Sequence, residues 1–153
     1  MKATIKILLI SGVLISTLAF AIKTSEEREN VDAVKELVSK AYINGAFNEL
    51  DADKMQEGFH EDFAIYSAKG EEISKYPIGE WVASVRKRKA DDYDASAEKN
   101  IWKPTFASVD VTGGAAQVKV ELRNQGKHVY TDYLSLLKFE SGWRIVAKVY
   151  HKH

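Results

Sequence analysis

Residues 100–151, NIWKPTFASVDVTGGAAQVKVELRNQGKHVYTDYLSLLKFESGWRIVAKVYH, decide the fold. Apolar and polar residues alternate along the stretch, and turn signals break it at Gly113-Gly114, Asn124-Gln125-Gly126 and Glu140-Ser141-Gly142, which is the pattern of an antiparallel meander. Val118, Val120 and Leu122 alternate with Gln117, Lys119, Glu121 and Arg123, so one face of that strand is wet. In the preceding run Thr105, Ala107, Val109 and Val111 fall on one parity, and Trp102, Phe106, Ser108 and Asp110 on the other. Runs 129–139 and 143–150 are apolar on both parities, as expected of strands covered on both faces. A three-residue turn at Glu140-Ser141-Gly142 sets Phe139 opposite Trp143 and Asp132 opposite Tyr150. Lys148 then lies diagonal to Asp132 on one face, within reach of a long side chain; a four-residue turn separates the two.

Upstream of this stretch the pattern is mainly helical. Thr24 and Glu27 have the spacing of a capping box, and Val31, Val34, Val38, Ala41 and Gly45 form one stripe, predicting an amphipathic helix over 25–48. Asp51 is placed to cap a second helix over 52–58, which Gly58 ends. Phe63 and Ile65 alternate with Ala64 and Tyr66 in a first strand, Lys69-Gly70 turns the chain, and 71–75 returns. Pro77 suits the first position of a third helix, buried through Ile78, Trp81, Val82 and Val85 and closed by Arg86-Lys87-Arg88-Lys89. Four cations there match the helix dipole. Asp91, Asp92 and Asp94 follow at once and cancel the longer-range field that a nucleic-acid patch needs.

The chain has 153 residues, 45% hydrophobic and 29% charged, with 22 basic and 22 acidic side chains. That is the profile of one soluble domain with its own core. The balanced charge argues against nucleic-acid binding, and the absence of cysteine excludes disulfides and thiolate metal sites. Lys2 and Lys6, the apolar run 7–21 and the ending Ala19-Phe20-Ala21 describe a secretory signal peptide over 1–21, the alternative being an uncleaved membrane anchor. The expected arrangement is a leader, 1–21, followed by a single domain, 22–153, that is mildly acidic and exported, either periplasmic or secreted.

The order of elements, together with Tyr42-Ile43-Asn44-Gly45, Phe59-His60-Glu61-Asp62-Phe63, Thr131-Asp132-Tyr133-Leu134-Ser135-Leu136-Leu137 and GWRIVAKVY at 142–150, resembles the nuclear transport factor 2-like superfamily. Within it the chain is most similar to the small exported proteins called putative lumazine-binding, over about 26–150. The resemblance implies an α+β fold: a cone-shaped, curved, mixed but largely antiparallel sheet, with three helices from the N-terminal half packed over its concave face. It also implies homodimers through the outer sheet face. It does not fix an activity, because this fold hosts isomerases, dehydratases, cyclases and transport adaptors alike.

Several residues could carry chemistry. His60, at the junction of second helix and first strand, either relays protons or tethers the junction through a backbone hydrogen bond. Asp132 sits mid-strand, where carboxylates are depleted; with Lys148 it forms either an acid–base or ligand-binding pair or an ion pair that fixes register. Tyr42, Trp81 and Trp102 either line a pocket or belong to the core, and Phe59 flanks His60. His151 and His153 without a third ligand are weak evidence for metal. Neither a glycosylation site, a phosphate-cradling loop nor a zinc signature is present in the sequence. The first expectation is a non-enzymatic binder of a small apolar or aromatic molecule, without cofactor or metal, lined by Tyr42, Phe59, His60, Trp81, Trp102, Asp132 and Lys148. The alternatives are a cofactor-free isomerase or dehydratase with His60 and Asp132 as acid and base, and a purely structural dimerisation domain.

Overall fold

Tight two-residue turns build the meander. Thr112 pairs with Ala115 around Gly113-Gly114, and Asn124 with Lys127 around Gln125-Gly126. Gln125 and Gly126 both have positive φ, 48° and 78°, the conformation of a hairpin turn whose twist matches its strands. The strands they join are β3 (Trp102–Thr112), β4 (Ala115–Asn124), β5 (Lys127–Phe139) and β6 (Gly142–Lys152). β1 (Phe59–Lys69) and β2 (Glu72–Pro77) complete a six-stranded sheet in the order β2-β1-β6-β5-β4-β3. Every pairing is antiparallel except that of β1 with β6. The computed structural model describes residues 25–153; the leader expected over 1–21 and Thr24 of the capping box lie outside the described residues.

Three single-residue bulges bend the meander. Ala107 in β3, Val129 in β5 and Val146 in β6 are each left without a partner where the register shifts. A bulge kinks its strand and steepens the twist, so the long strands curl into an open cone. Two expectations change as a result. Ala107 switches parity mid-strand, and Trp102, Phe106, Val109 and Val111 all pack toward the same core, whereas simple alternation put them on opposite faces. The final turn is Glu140-Ser141, with Phe139 facing Gly142 and Lys138 facing Trp143, one step from the expected pairing. The bulge at Val146 absorbs that step, and Asp132 still faces Tyr150.

The helices cover the concave face. α1 spans 25–48, and its last eleven residues, Val38–Asn48, wind as a π-helix; the Glu49 N–H then donates to Asn44 O five residues back, at 2.8 Å. The wider turn lets Ala41, Tyr42 and Ile43 all be buried, which the regular 3.6-residue period does not do for three neighbours. Asp51 caps α2 (Ala52–Gly58) by accepting from the Asp53 and Lys54 N–H groups at 3.1 Å each. At Gly58 a Cβ would lie 2.2 Å from that of Ala41, so only glycine lets α2 lie this close to α1. β1 begins directly after α2 and is longer than the sequence pattern suggests, placing His60 within the strand. Pro77 ends β2 and caps α3 (Ile78–Ala90) rather than opening it. Val34, Val38, Leu122, Leu134, Leu136 and Ile145 are buried in the core between helices and sheet.

Candidate ligand-binding site

Strand alternation and the β1–β6 pairing position the polar centre. Asp132 and Tyr150 are directly opposed, Leu134 opposes Lys148, and Ile65 of β1 lies beside Lys148, so Ile65, Asp132, Lys148 and Tyr150 all face the helices. From above, the π-wound part of α1 lowers Tyr42 onto them. The Lys148 ammonium donates to Tyr42 Oη at 2.6 Å, and Tyr42 donates to Asp132 Oδ2 at 2.7 Å. Asp132 Oδ1 is 2.8 Å from Lys148 Nζ, an ion-pair contact without hydrogen-bond alignment, and no other group satisfies that buried oxygen. Tyr42 and Asp132 have no exposed surface and Lys148 only 5%.

Burial sets the electrostatics. It pushes the Tyr42 phenol well above its usual range, and the neighbouring Asp132 carboxylate adds to the effect; Tyr42 is therefore a proton donor at any ordinary pH. Burial also pulls the Lys148 ammonium below its usual range, while Asp132 opposes part of that fall. Five rings surround Nζ: Tyr42 and Tyr150 at 4.9 Å to the centroid, Trp81 at 5.8 Å, and Phe47 and Tyr130 at 5.9 Å. Such ring faces stabilise a desolvated cation.

Lys148 is also the floor of a recess of about 360 Å³, open to solvent, walled by Phe47, Ile65, Tyr76, Trp81, Tyr130 and Tyr150 with Ser67 among its lining residues. An ammonium donor beneath aromatic walls can hold an acceptor edge of a flat molecule. Behind it, the Lys148–Tyr42–Asp132 chain can pass a proton without water.

The structure brings Tyr42, Trp81, Asp132 and Lys148 together. Trp102 packs outside the recess, stacked on Tyr130 at 5.8 Å and against Phe47 at 5.1 Å. Phe59 packs on Phe63 and Trp81 and, with His60, lines a different cleft of about 450 Å³ beside Gln56 and Arg86. The His60 ring stacks on Phe139 at 4.9 Å, and its Nδ1 accepts from the Asp62 N–H at 3.2 Å. His60 and Asp132 are therefore not assembled in one recess. Sequence reasoning missed Phe47, Tyr76, Tyr130 and Tyr150. Tyr130 and Tyr150 were within its reach, since each lies two positions from Asp132 or Lys148 on the same face. His151 and His153 join His128, the His128 and His153 rings being 3.9 Å apart. Among the described residues no group of three or more metal-ligating side chains is arranged to hold an ion.

The profile of the family described as putative lumazine-binding matches residues 29–151. The chain belongs to that family. The chain is 29% identical over 131 residues to the aldolase FrzH of Cladobotryum sp, a match covering 85% of this chain and 94% of that one. Among solved structures, it is similar to a nuclear transport factor 2-like protein of unknown function from Silicibacter pomeroyi, with a TM-score of 0.66 and 25% identity over 82% of this chain and 98% of that one. A second such protein, from Shewanella baltica, aligns with a TM-score of 0.62 and 26% identity over 80% of this chain and 92% of that one. No helix among the described residues is long and apolar enough to cross a membrane.

Proposed function

We propose that the chain binds a small, flat molecule in the aromatic recess, with an acceptor atom of the ligand on Lys148 Nζ. The observation that carries this reading is a buried ammonium at the floor of an open recess, ringed by five aromatic side chains. Pockets of this kind, apolar with few convergent polar groups, are the usual small-molecule sites. The family's description makes lumazine the first ligand to try. Titration followed by tryptophan fluorescence is expected to saturate. Tyr150→Ala, which removes a wall but no buried charge, is expected to weaken binding about tenfold, the upper range for one aromatic contact. Affinity unchanged by Tyr150→Ala would remove the recess as the site.

A second reading, cofactor-free proton transfer of the isomerase or dehydratase type, is supported by the Lys148–Tyr42–Asp132 relay and by the aldolase relative. Here the relay, not His60 with Asp132, supplies acid and base.

Two further parts of the proposal concern the whole molecule. The leader pattern at 1–21 supports export. Tyr133, Leu137 and Val149 are 43%, 44% and 50% exposed on the outer sheet face, which supports a homodimer formed there. Sedimentation at micromolar concentration is expected to give twice the chain mass, and Leu137→Lys to give the monomer. A wild-type monomer would reject the dimer.

A further inference from the structure

Resting on the reading of the recess as a ligand site, we propose that Lys148 is a nucleophile there, forming a reversible imine with the carbonyl group of an aldehyde or ketone ligand. Three features of the geometry support this chemistry. Lys148 is among the residues that line the recess and is 5% exposed, which sets its side chain beside a carbonyl ligand held there. Tyr42 and Tyr150 stand with their ring centroids 4.9 Å from Nζ, apolar walls against which an aromatic carbonyl compound can pack. Tyr42 Oη, 2.6 Å from Nζ and 2.7 Å from Asp132 Oδ2, is a phenol placed to move protons between the amine, the ligand oxygen and the carboxylate. Burial favours the neutral, nucleophilic amine.

The steps balance without a co-reactant. The Nζ lone pair attacks the carbonyl carbon, a C–N bond forms, and the carbonyl π pair moves to oxygen. The proton released from nitrogen passes through Tyr42 to Asp132 and returns to that oxygen, giving a carbinolamine. The nitrogen lone pair then expels the hydroxyl, which takes a proton from Tyr42 and leaves as water. The iminium gives its remaining proton back along the same path. Both hydrogens of the amine end in the water, and no oxidation state changes.

The test uses the full chain, naphthaldehyde and cyanoborohydride, which reduces an imine to a stable secondary amine, followed by peptide mapping. Lys148 is expected to be labelled at least about tenfold faster than the exposed Lys87 and Lys152, because the recess holds the aldehyde against its amine. Tyr42→Phe keeps the ring and the ion pair, and is expected to slow labelling at Lys148 by about 100-fold, the contribution of one placed acid–base group. Labelling of Lys148 no faster than of the exposed lysines would overturn the proposal, as would full-rate labelling in Tyr42→Phe. Naphthylmethanol, which has the same shape but no carbonyl, separates the two readings by tryptophan fluorescence. If it binds and Lys148 stays unlabelled, the ligand site stands and the imine falls; if neither compound binds, both fall.

Discussion

Asp132→Ala is expected to lower folding stability by about 3–5 kcal/mol, because it leaves the Lys148 ammonium buried without a counter-ion. The carboxylate has no exposed surface and is held by Tyr42 at 2.7 Å and Lys148 at 2.8 Å. Urea unfolding followed by tryptophan fluorescence measures the loss. Adding Lys148→Met removes the stranded charge and is expected to recover most of it, since a buried pair replaced by apolar groups of similar volume is often neutral. A loss below about 1 kcal/mol in the single variant, the range for solvated pairs, would mean that water reaches the pair and that the recess floor is not dry.

Trp81→Ala is expected to cost a similar amount, about 3–5 kcal/mol. The indole touches the rings of Tyr42, Phe47, Phe59 and Phe63, with centroids at 6.0, 6.5, 5.5 and 6.0 Å, and lies 5.8 Å from Lys148 Nζ. It lines the recess and packs in the aromatic cluster at once, so its removal opens a void that its neighbours on α1 and β1 fill only partly. Thermal unfolding gives the stability change. Trp81→Phe, which keeps an aromatic wall, is expected to lose less than half as much; equal losses would place the energy in the shape of the indole rather than in burial.

The fold was legible because its signals are local. Period-two alternation in β4, turn glycines and the Asp51 cap each act within a few residues. The Asp132–Lys148 pairing was legible for a less secure reason. The turn before β6 is one residue shorter than the pattern suggests, and the unpaired Val146 compensates; nothing in the composition of a strand announces such a bulge. The bulge at Ala107 had no compensating partner, and there the expected face was wrong. Tyr42 was a visible candidate, but its contact with Asp132 spans ninety residues of sequence and depends on the π-winding of α1, a rare geometry that a 3.6-residue period does not predict. His60 drew attention as a lone titratable group between two phenylalanines. Its partners turned out to be its own strand and Phe139, because β1 starts four residues earlier than the alternation of Phe63 and Ile65 implies.

The parallel contact of β1 with β6, Ile65 beside Lys148, joins the earliest strand of the sheet to the last. Long-range pairing of this kind makes folding slow. Until β6 is in place, the other five strands form two separate pieces, β2-β1 and β5-β4-β3, and β1 and β5 each present a bare edge that invites pairing with other chains. The tyrosine, the carboxylate and the amine meet only when the final hairpin zips in. A chain that stops before β6 lacks Lys148, and with it the buried contact that ties α1, β5 and β6 together.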